Sequence, residues 1–342
     1  MDTSRNKKSG TGNRRDHEDN NIACIERMKH TNYRLQCRDR ELDLTGQAKI
    51  MGILNSTPDS FFDGGSLSTG SRTIDVDRAV EKGLKMIEEG ADIIDIGGES
   101  TKPGALKVDA EEELRRILPV IRELRRQSDI LISVDTYKAT VAEQALLAGA
   151  QLINDISGFS FDPDIAQVCS HFHAAAILMH TSGDPANMKW SHQTRAAGTD
   201  ILNRVTHSLL DRIQHAEQQG VCNIIVDPGF GFGKSVFENY TLLRRLHDFH
   251  TLKRPLLAGL SRKSFLGKAL QKHPDQAVPS PDKRLTATIA ANTIALINGA
   301  NILRVHDIEE AVQTLAVTSS VNGGKPKRPG SPGHSVQSYN FS

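Results

Sequence analysis

A chain of 342 residues is long for a minimal domain and short for two large ones, so one large α/β domain with tails and two modest domains both stay open. Its 42 Lys plus Arg against 41 Asp plus Glu leave a net charge of +1, which argues against nucleic acid or an anionic membrane as the main partner and makes any basic site local. Four cysteines without CxxC spacing argue against a zinc site or a disulfide framework, and they suit a reducing, cytoplasmic setting.

Residues 1–33 are expected to form a disordered extension. Its first part, MDTSRNKKSGTGNRRDHEDNN, has no apolar stretch for secretion, and Asp2, Asp16, Glu18 and Asp19 do not suit a transit peptide. Residues 34–47 read as a short hairpin capping the larger domain after it. Over 48–320, short runs rich in Ile, Leu and Val alternate with helical patterns. The runs are 50–54, 93–96, 130–134, 152–156, 175–179, 224–226, 256–260 and 302–305. Helices are expected near 75–89, 110–126, 139–148, 162–169, 199–219, 238–247, 284–297 and 307–319. The phasing is clearest at Leu114, Ile117, Leu118, Ile121 and Leu124. Gly90, Gly149, Gly220 and Gly299 each stand where a helix needs a left-handed C-cap. Residues 321–342 are rich in Gly, Pro and Ser and read as a disordered tail. Eight β-then-α cycles fit a closed (β/α)8 TIM barrel, which takes about 250 residues. An open doubly wound sheet is the alternative, but it would show fewer strands and a Gly-rich first turn.

Each run ends in polar residues. In order these are Asn55; Asp95 with Glu99, Ser100 and Thr101; Asp135; Asn154 and Asp155; His180; Asp227; Ser261, Arg262 and Lys263; and Arg304, His306 and Asp307. A barrel gathers these ends around one mouth, where barrel enzymes do their chemistry. Polar loops explain any one position, but not eight in succession. Asp95, Asp135, Asn154 and Asp227 suit a flat heterocycle with amino and lactam groups, since a carboxylate accepts two N–H bonds and an amide both donates and accepts. Lys263, Arg304 and His306 lie on the last two strands, which commonly frame a phosphate. The bland reading of Arg304 and His306 is a salt bridge to Asp307. Two Gly-containing loops, 55–66 and 97–105, are long enough to fold over a ligand.

The segments IMGILNSTPDSFFDGGS (50–66), DIIDIGGESTKPGA (92–105), SVDTYKATVA (133–142), INDISG (153–158), IVDPGFGFGK (225–234), LSRKSFLG (260–267) and ILRVHD (302–307) together resemble the dihydropteroate synthase family, within the pterin-binding proteins. The resemblance runs in order through roughly 48–320. It implies a pterin-binding TIM barrel that joins 6-hydroxymethyl-7,8-dihydropterin diphosphate to 4-aminobenzoate, giving 7,8-dihydropteroate and diphosphate in folate biosynthesis. It also implies magnesium, a homodimer and a sulfonamide target. Matched by position, Asp135, Asn154, Asp227 and Lys263 resemble ligands of the pterin ring, Asp95 a supporting acid behind it, and Thr101 a residue touching that substrate. Arg304 and His306 resemble diphosphate ligands, and Asn55 the position linked to magnesium and diphosphate. Asp63 resembles a first-loop acid that organises the metal, while Ser261, Phe232 and Lys102 fall at the aminobenzoate side. Asp135, Lys263 and Asp63 are the residues the resemblance places nearest the chemistry.

The chain departs from the family pattern at Ser56, at Lys102 where Arg is usual, and at Thr181 where Met is usual. A lysine lacks the planar fork that grips a carboxylate bidentately. A pterin-binding methyltransferase acting on methyltetrahydrofolate is the competing enzyme. It has no diphosphate to hold, so SRK (261–263) and RVHD (304–307) argue against it. A non-catalytic pterin-binding paralogue is the competing class.

Overall fold

The computed structural model describes residues 33–57, 75–195 and 200–321. The expected terminal tails lie almost wholly outside them, as do residues 58–66 of the first loop with Asp63. Strand β1 (Arg34–Cys37) pairs antiparallel with β2 (Arg40–Asp43), the hairpin expected there. Eight parallel strands follow: β3 (Lys49–Asn55), β4 (Ile93–Gly97), β5 (Leu131–Asp135), β6 (Leu152–Asp155), β7 (Ala175–Met179), β8 (Ile224–Asp227), β9 (Leu257–Ala258) and β10 (Ile302–Val305). Their order is β8-β7-β6-β5-β4-β3-β10-β9. A parallel bridge between Val226 and Leu256 closes β9 onto β8, and Val226 N–H donates to Pro255 O at 2.9 Å. That bridge decides for the barrel over the open sheet.

The helices are α1 (Val76–Glu88), α2 (Ala110–Gln127), α3 (Ala139–Leu147), α4 (Asp164–His171), α5 (Ile201–Gln218), α6 (Val236–Arg244), α7 (Ser264–Ala269), α8 (Leu285–Ile297) and α9 (Ile308–Val321). Most match their expected spans within two residues. Helix α6 starts earlier because Ser235 and Glu238 form a capping box, each side chain bonding the other's backbone N–H. Helix α4 starts later because Pro163 stands at its N-cap. The short α7 begins inside the SRKSFLG segment and runs two residues past it, where no helix was expected. Strand β9 is only two residues long, because the chain leaves the sheet at Gly259 and turns through a left-handed Arg262 (φ 59°). The four expected C-cap glycines all have positive φ.

Alternation along the strands sorts the core into two layers. Ile50, Leu54, Ile94, Ile96, Ile132 and Val134 face the helices. Met51, Ile93, Leu131, Leu152, Ile225 and Ile302 fill the barrel and pack on Leu35, Cys37, Leu42 and Leu44 of the hairpin segment. The hairpin therefore plugs the N-terminal end of the barrel, leaving the opposite end for polar side chains. No helix among the described residues is long and apolar enough to cross a membrane.

Candidate active site

Strand register assembles the mouth. Asn55 stands opposite Gly97, Gly97 opposite Asp135, and Asp135 opposite Asn154, one row across β3 to β6. A Cβ at Gly97 would lie 3.5 Å from Asp135 Cβ and 3.9 Å from Asn55 Oδ1, so the bare backbone there keeps the two polar chains beside one cleft. Asp95 sits two residues deeper on β4, opposite Ser133.

Asp95 is fully buried. Its Oδ2 accepts from Asn154 Nδ2 at 2.9 Å and from Arg304 Nε at 2.6 Å. Arg304 Nη2 also donates to Asp135 Oδ2 at 2.6 Å. Burial opposes the charge on Arg304, but Asp95 and Asp135 outweigh it and hold the guanidinium above its ordinary pKa. Burial pushes Asp135 up to about 7, with Arg304 opposing and Asp95 adding to the rise. Arg304 does not lose its proton, so its short contact to Asp135 favours the carboxylate there against the effect of burial. The simple Arg304–Asp307 pair is not what forms. Arg262 takes Asp307 instead, donating from Nε at 3.1 Å and also from Nη2. At the end of β8, Asp227 Oδ1 accepts from Gly229 N–H at 2.7 Å, and burial raises its carboxyl. Two buried polar atoms on neighbouring strands in register, Asp95 Oδ1 and Ser133 Oγ, have no hydrogen-bond partner. Polar atoms this buried are normally satisfied, so the pair offers polar contacts to a ligand at this end.

The other half of the mouth is cationic. Lys263 Nζ lies 4.3 Å from the centre of the Phe232 ring. Burial and then Arg304 lower Lys263 to about 8, against the pull of Asp227 and Asp135. Ser261 Oγ lies 2.9 Å from His306 Nδ1 and accepts from the His306 backbone N–H at 3.3 Å. Burial depresses His306 to about 3, reinforced by Arg262, Arg304, Lys82 and Lys263. The left-handed Arg262 sends three consecutive side chains to three partners: Ser261 to His306, Arg262 to Asp307 and Lys263 to Phe232. Ser261, which the resemblance puts at the aminobenzoate side, is thus bonded to the histidine it puts at the diphosphate.

The second loop is tied from below through Glu99 by Tyr137, Lys138 and Glu113, three residues that sequence reasoning did not single out. Glu99 accepts from Tyr137 Oη at 2.6 Å and from Lys138 Nζ at 2.5 Å. Lys138 also donates to Glu113, which is almost fully buried on α2. The signal was present, since Glu113 stands four residues before Ile117 on the buried stripe of that helix. Above this network, Thr101 is half-buried and Lys102 is exposed. Of the other departures, Ser56 is buried with an unpartnered Oγ, and its N–H donates to Gly97 O at 2.8 Å. Thr181 Oγ1 closes a turn by donating to Gly183 O at 2.9 Å.

Residues 51–306 match a family profile described as pterin binding enzyme. The dihydropteroate synthase of Synechocystis sp. is 43% identical over 274 residues, 80% of this chain and 89% of the relative. This chain belongs to the dihydropteroate synthase family. Structures agree with that membership. The dihydropteroate synthase of Xanthomonas albilineans solved with 4-aminobenzoic acid superposes with a TM-score of 0.74 at 40% identity, covering 85% of this chain and 99% of the other. The same enzyme in complex with 7,8-dihydropteroate gives 0.71 at 38%, covering 85% and 99%. The family profile runs from the inner face of β3 to His306, so it spans all eight strand ends described above.

Proposed function

We propose that this mouth condenses 6-hydroxymethyl-7,8-dihydropterin diphosphate with 4-aminobenzoate. In this reading Asp135, Asn154, Asp227 and Lys263 hold the pterin ring, with Asp95 behind and Thr101 above. Arg304, His306 and Asn55 hold the diphosphate. Phe232, Ser261 and Lys102 receive the aminobenzoate. The observation that carries it is the two-sided mouth. A row of carboxylates and an amide adjoins a cluster of cations, and Arg304 joins the two.

Such a mouth suits heterolysis of the bond between the pterin methylene and the diphosphate oxygen. Cations stabilise the departing anion, while the buried carboxylates stabilise the cation left on the pterin. The arylamine nitrogen then bonds to the methylene and sheds a proton, which needs no strong base. Magnesium, when bound with the diphosphate, would supply charge neutralisation. Among the described residues no three His, Cys, Asp or Glu converge as a metal cage. Asn55 offers one amide oxygen at the mouth, which suits a magnesium ion held mainly by substrate phosphates and water. The role of Asp63 in organising that metal stays a proposal from the resemblance alone. Sulfonamides would compete at the aminobenzoate side.

A second copy of the chain is the partner we infer. Ile294 and Ile297 on α8 and Val317 and Val321 on α9 are exposed, and these helices neighbour one another, so they offer apolar surface to it.

The deciding assay follows diphosphate release from the purified chain with magnesium. Release that requires 4-aminobenzoate and matches pteroate formed is the expected result. Pterin binding without such release would overturn the reading in favour of a non-catalytic relative.

A further inference from the structure

The reaction as read leaves Lys234 unused, yet its side chain is fully buried. Its Nζ donates to Gly229 O at 2.6 Å, Phe232 O at 3.1 Å and His180 O at 3.2 Å. An ammonium has three N–H bonds, and three carbonyls receive them. Two belong to the loop joining β8 to α6, and the third, that of His180, directly follows the neighbouring strand β7. Burial pushes Lys234 down to about 7 with Asp227 opposing, but three converging carbonyls select the ammonium, the form we assign.

The loop is shaped around that group. Gly229 and Gly231 are left-handed, at φ +72° and +88°. A Cβ on Gly229 would lie 1.9 Å from the same His180 carbonyl, and one on Gly231 would lie 3.1 Å from Lys263 Cδ. Asn239 adds a latch, accepting from Gly231 N–H at 2.7 Å and donating to Lys234 O at 3.1 Å. What the loop presents is Asp227 at its start, bonded to Gly229 N–H, and Phe232 near its end, against Lys263. Both residues adjoin carbonyl-bearing residues that Lys234 holds, and Phe232 is itself one of them.

We propose that Lys234 is a positioning residue: by gathering the carbonyls of Gly229, Phe232 and His180, it sets the places of Asp227 and Phe232 and, through the Phe232 ring, of Lys263. The proposal rests on the reading of those three residues as substrate ligands.

The test uses the full chain, with Lys234→Met removing all donors and Lys234→Gln keeping two. Turnover is measured with dihydropterin diphosphate, magnesium and 4-aminobenzoate, alongside Tm. Lys234→Met should stay folded and raise KM for aminobenzoate by about tenfold or more, with Lys234→Gln between it and the parent. Phe232→Leu should also raise that KM, and the double variant Phe232→Leu/Lys234→Met should exceed the worse single by less than about twofold, because both act on one ring. A lowered Tm with KM unchanged would overturn the proposal, as would multiplying effects. Unfolding of both Lys234 variants would overturn it too, since the residue would then serve the fold as a whole. If Phe232→Leu and Asp227→Asn in the parent background leave both substrates' KM unchanged, the site reading itself is wrong, whatever Lys234 does.

Discussion

Arg304 of the last strand reaches across the barrel to Asp135 of β5, its Nη2 donating to Oδ2 at 2.6 Å. Its Nε simultaneously serves Asp95. The cation assigned to the diphosphate is therefore also the counter-ion of two carboxylates at the pterin side. Substrate binding at one half of the mouth is coupled to charge at the other.

Arg304→Ala should thus damage more than anion binding. It leaves Asp95 and Asp135 facing one another in a buried setting, and breaking such a pair costs about 3–5 kcal/mol. Denaturant unfolding should show that loss, and Asp135 should titrate at higher pH than in the parent protein. Unchanged stability would mean that water or Lys263 replaces the guanidinium at no cost.

Pterin affinity should depend on pH through Asp135. Burial raises this carboxyl to about 7. The proton must leave before the carboxylate accepts two N–H bonds, so affinity should be full above that value and decline as pH falls through it. The sign for stability is opposite. The folded state holds the proton more tightly than the unfolded chain, so this group's contribution to stability falls as pH rises from about 4 to about 7. Asp135→Asn should bind weakly at every pH, because an amide presents a donor to a donor. Calorimetry with 6-hydroxymethylpterin between pH 5.5 and 8.5 distinguishes these profiles, and a flat profile in the parent protein would refute the assignment.

His306 should take up a proton when diphosphate arrives. Burial and four neighbouring cations hold it near 3 without ligand, and a bound polyanion reverses the sign of its surroundings. Protonation keeps the contact to Ser261, with Nδ1–H donating to Oγ. Calorimetry of magnesium diphosphate near pH 6, in buffers of different ionisation heat, should show greater net uptake for the parent than for His306→Gln. Equal uptake would place His306 outside the anion site.

Lys138→Met should destabilise the chain by about 3 kcal/mol, because it strands Glu113 without its cation. Replacing the partner as well, in Lys138→Met/Glu113→Leu, should recover most of the loss, since an apolar pair of similar volume suits a buried site. Glu99 stays loosened in both variants, so amide exchange in 97–105 should remain faster than in the parent. Equal stability of the single and double variants would show that the Lys138–Glu113 contact carries no weight.

The barrel was legible in the chain because its signals are local. Apolar runs, helical phasing and four C-cap glycines each depend on a few neighbouring residues, and eight cycles in order leave few topologies. The set of polar strand ends was legible for the same reason: a parallel barrel delivers every C-terminal end to one face. Partnership was not. Arg304 lies 169 residues from Asp135 and 209 from Asp95, and three residues from Asp307, so spacing favours the near acid. Only closure of β10 onto β3 brings the distant carboxylates within reach, and Arg262, turned by a left-handed backbone, takes the near one. Lys234 shows the same limit. Its neighbours in sequence are glycines and a helix cap, while the carbonyls that hold it meet only when the loop after β8 folds back over the end of β7. Periodicity records which way a side chain points, and the three-dimensional path of the backbone alone decides what it meets.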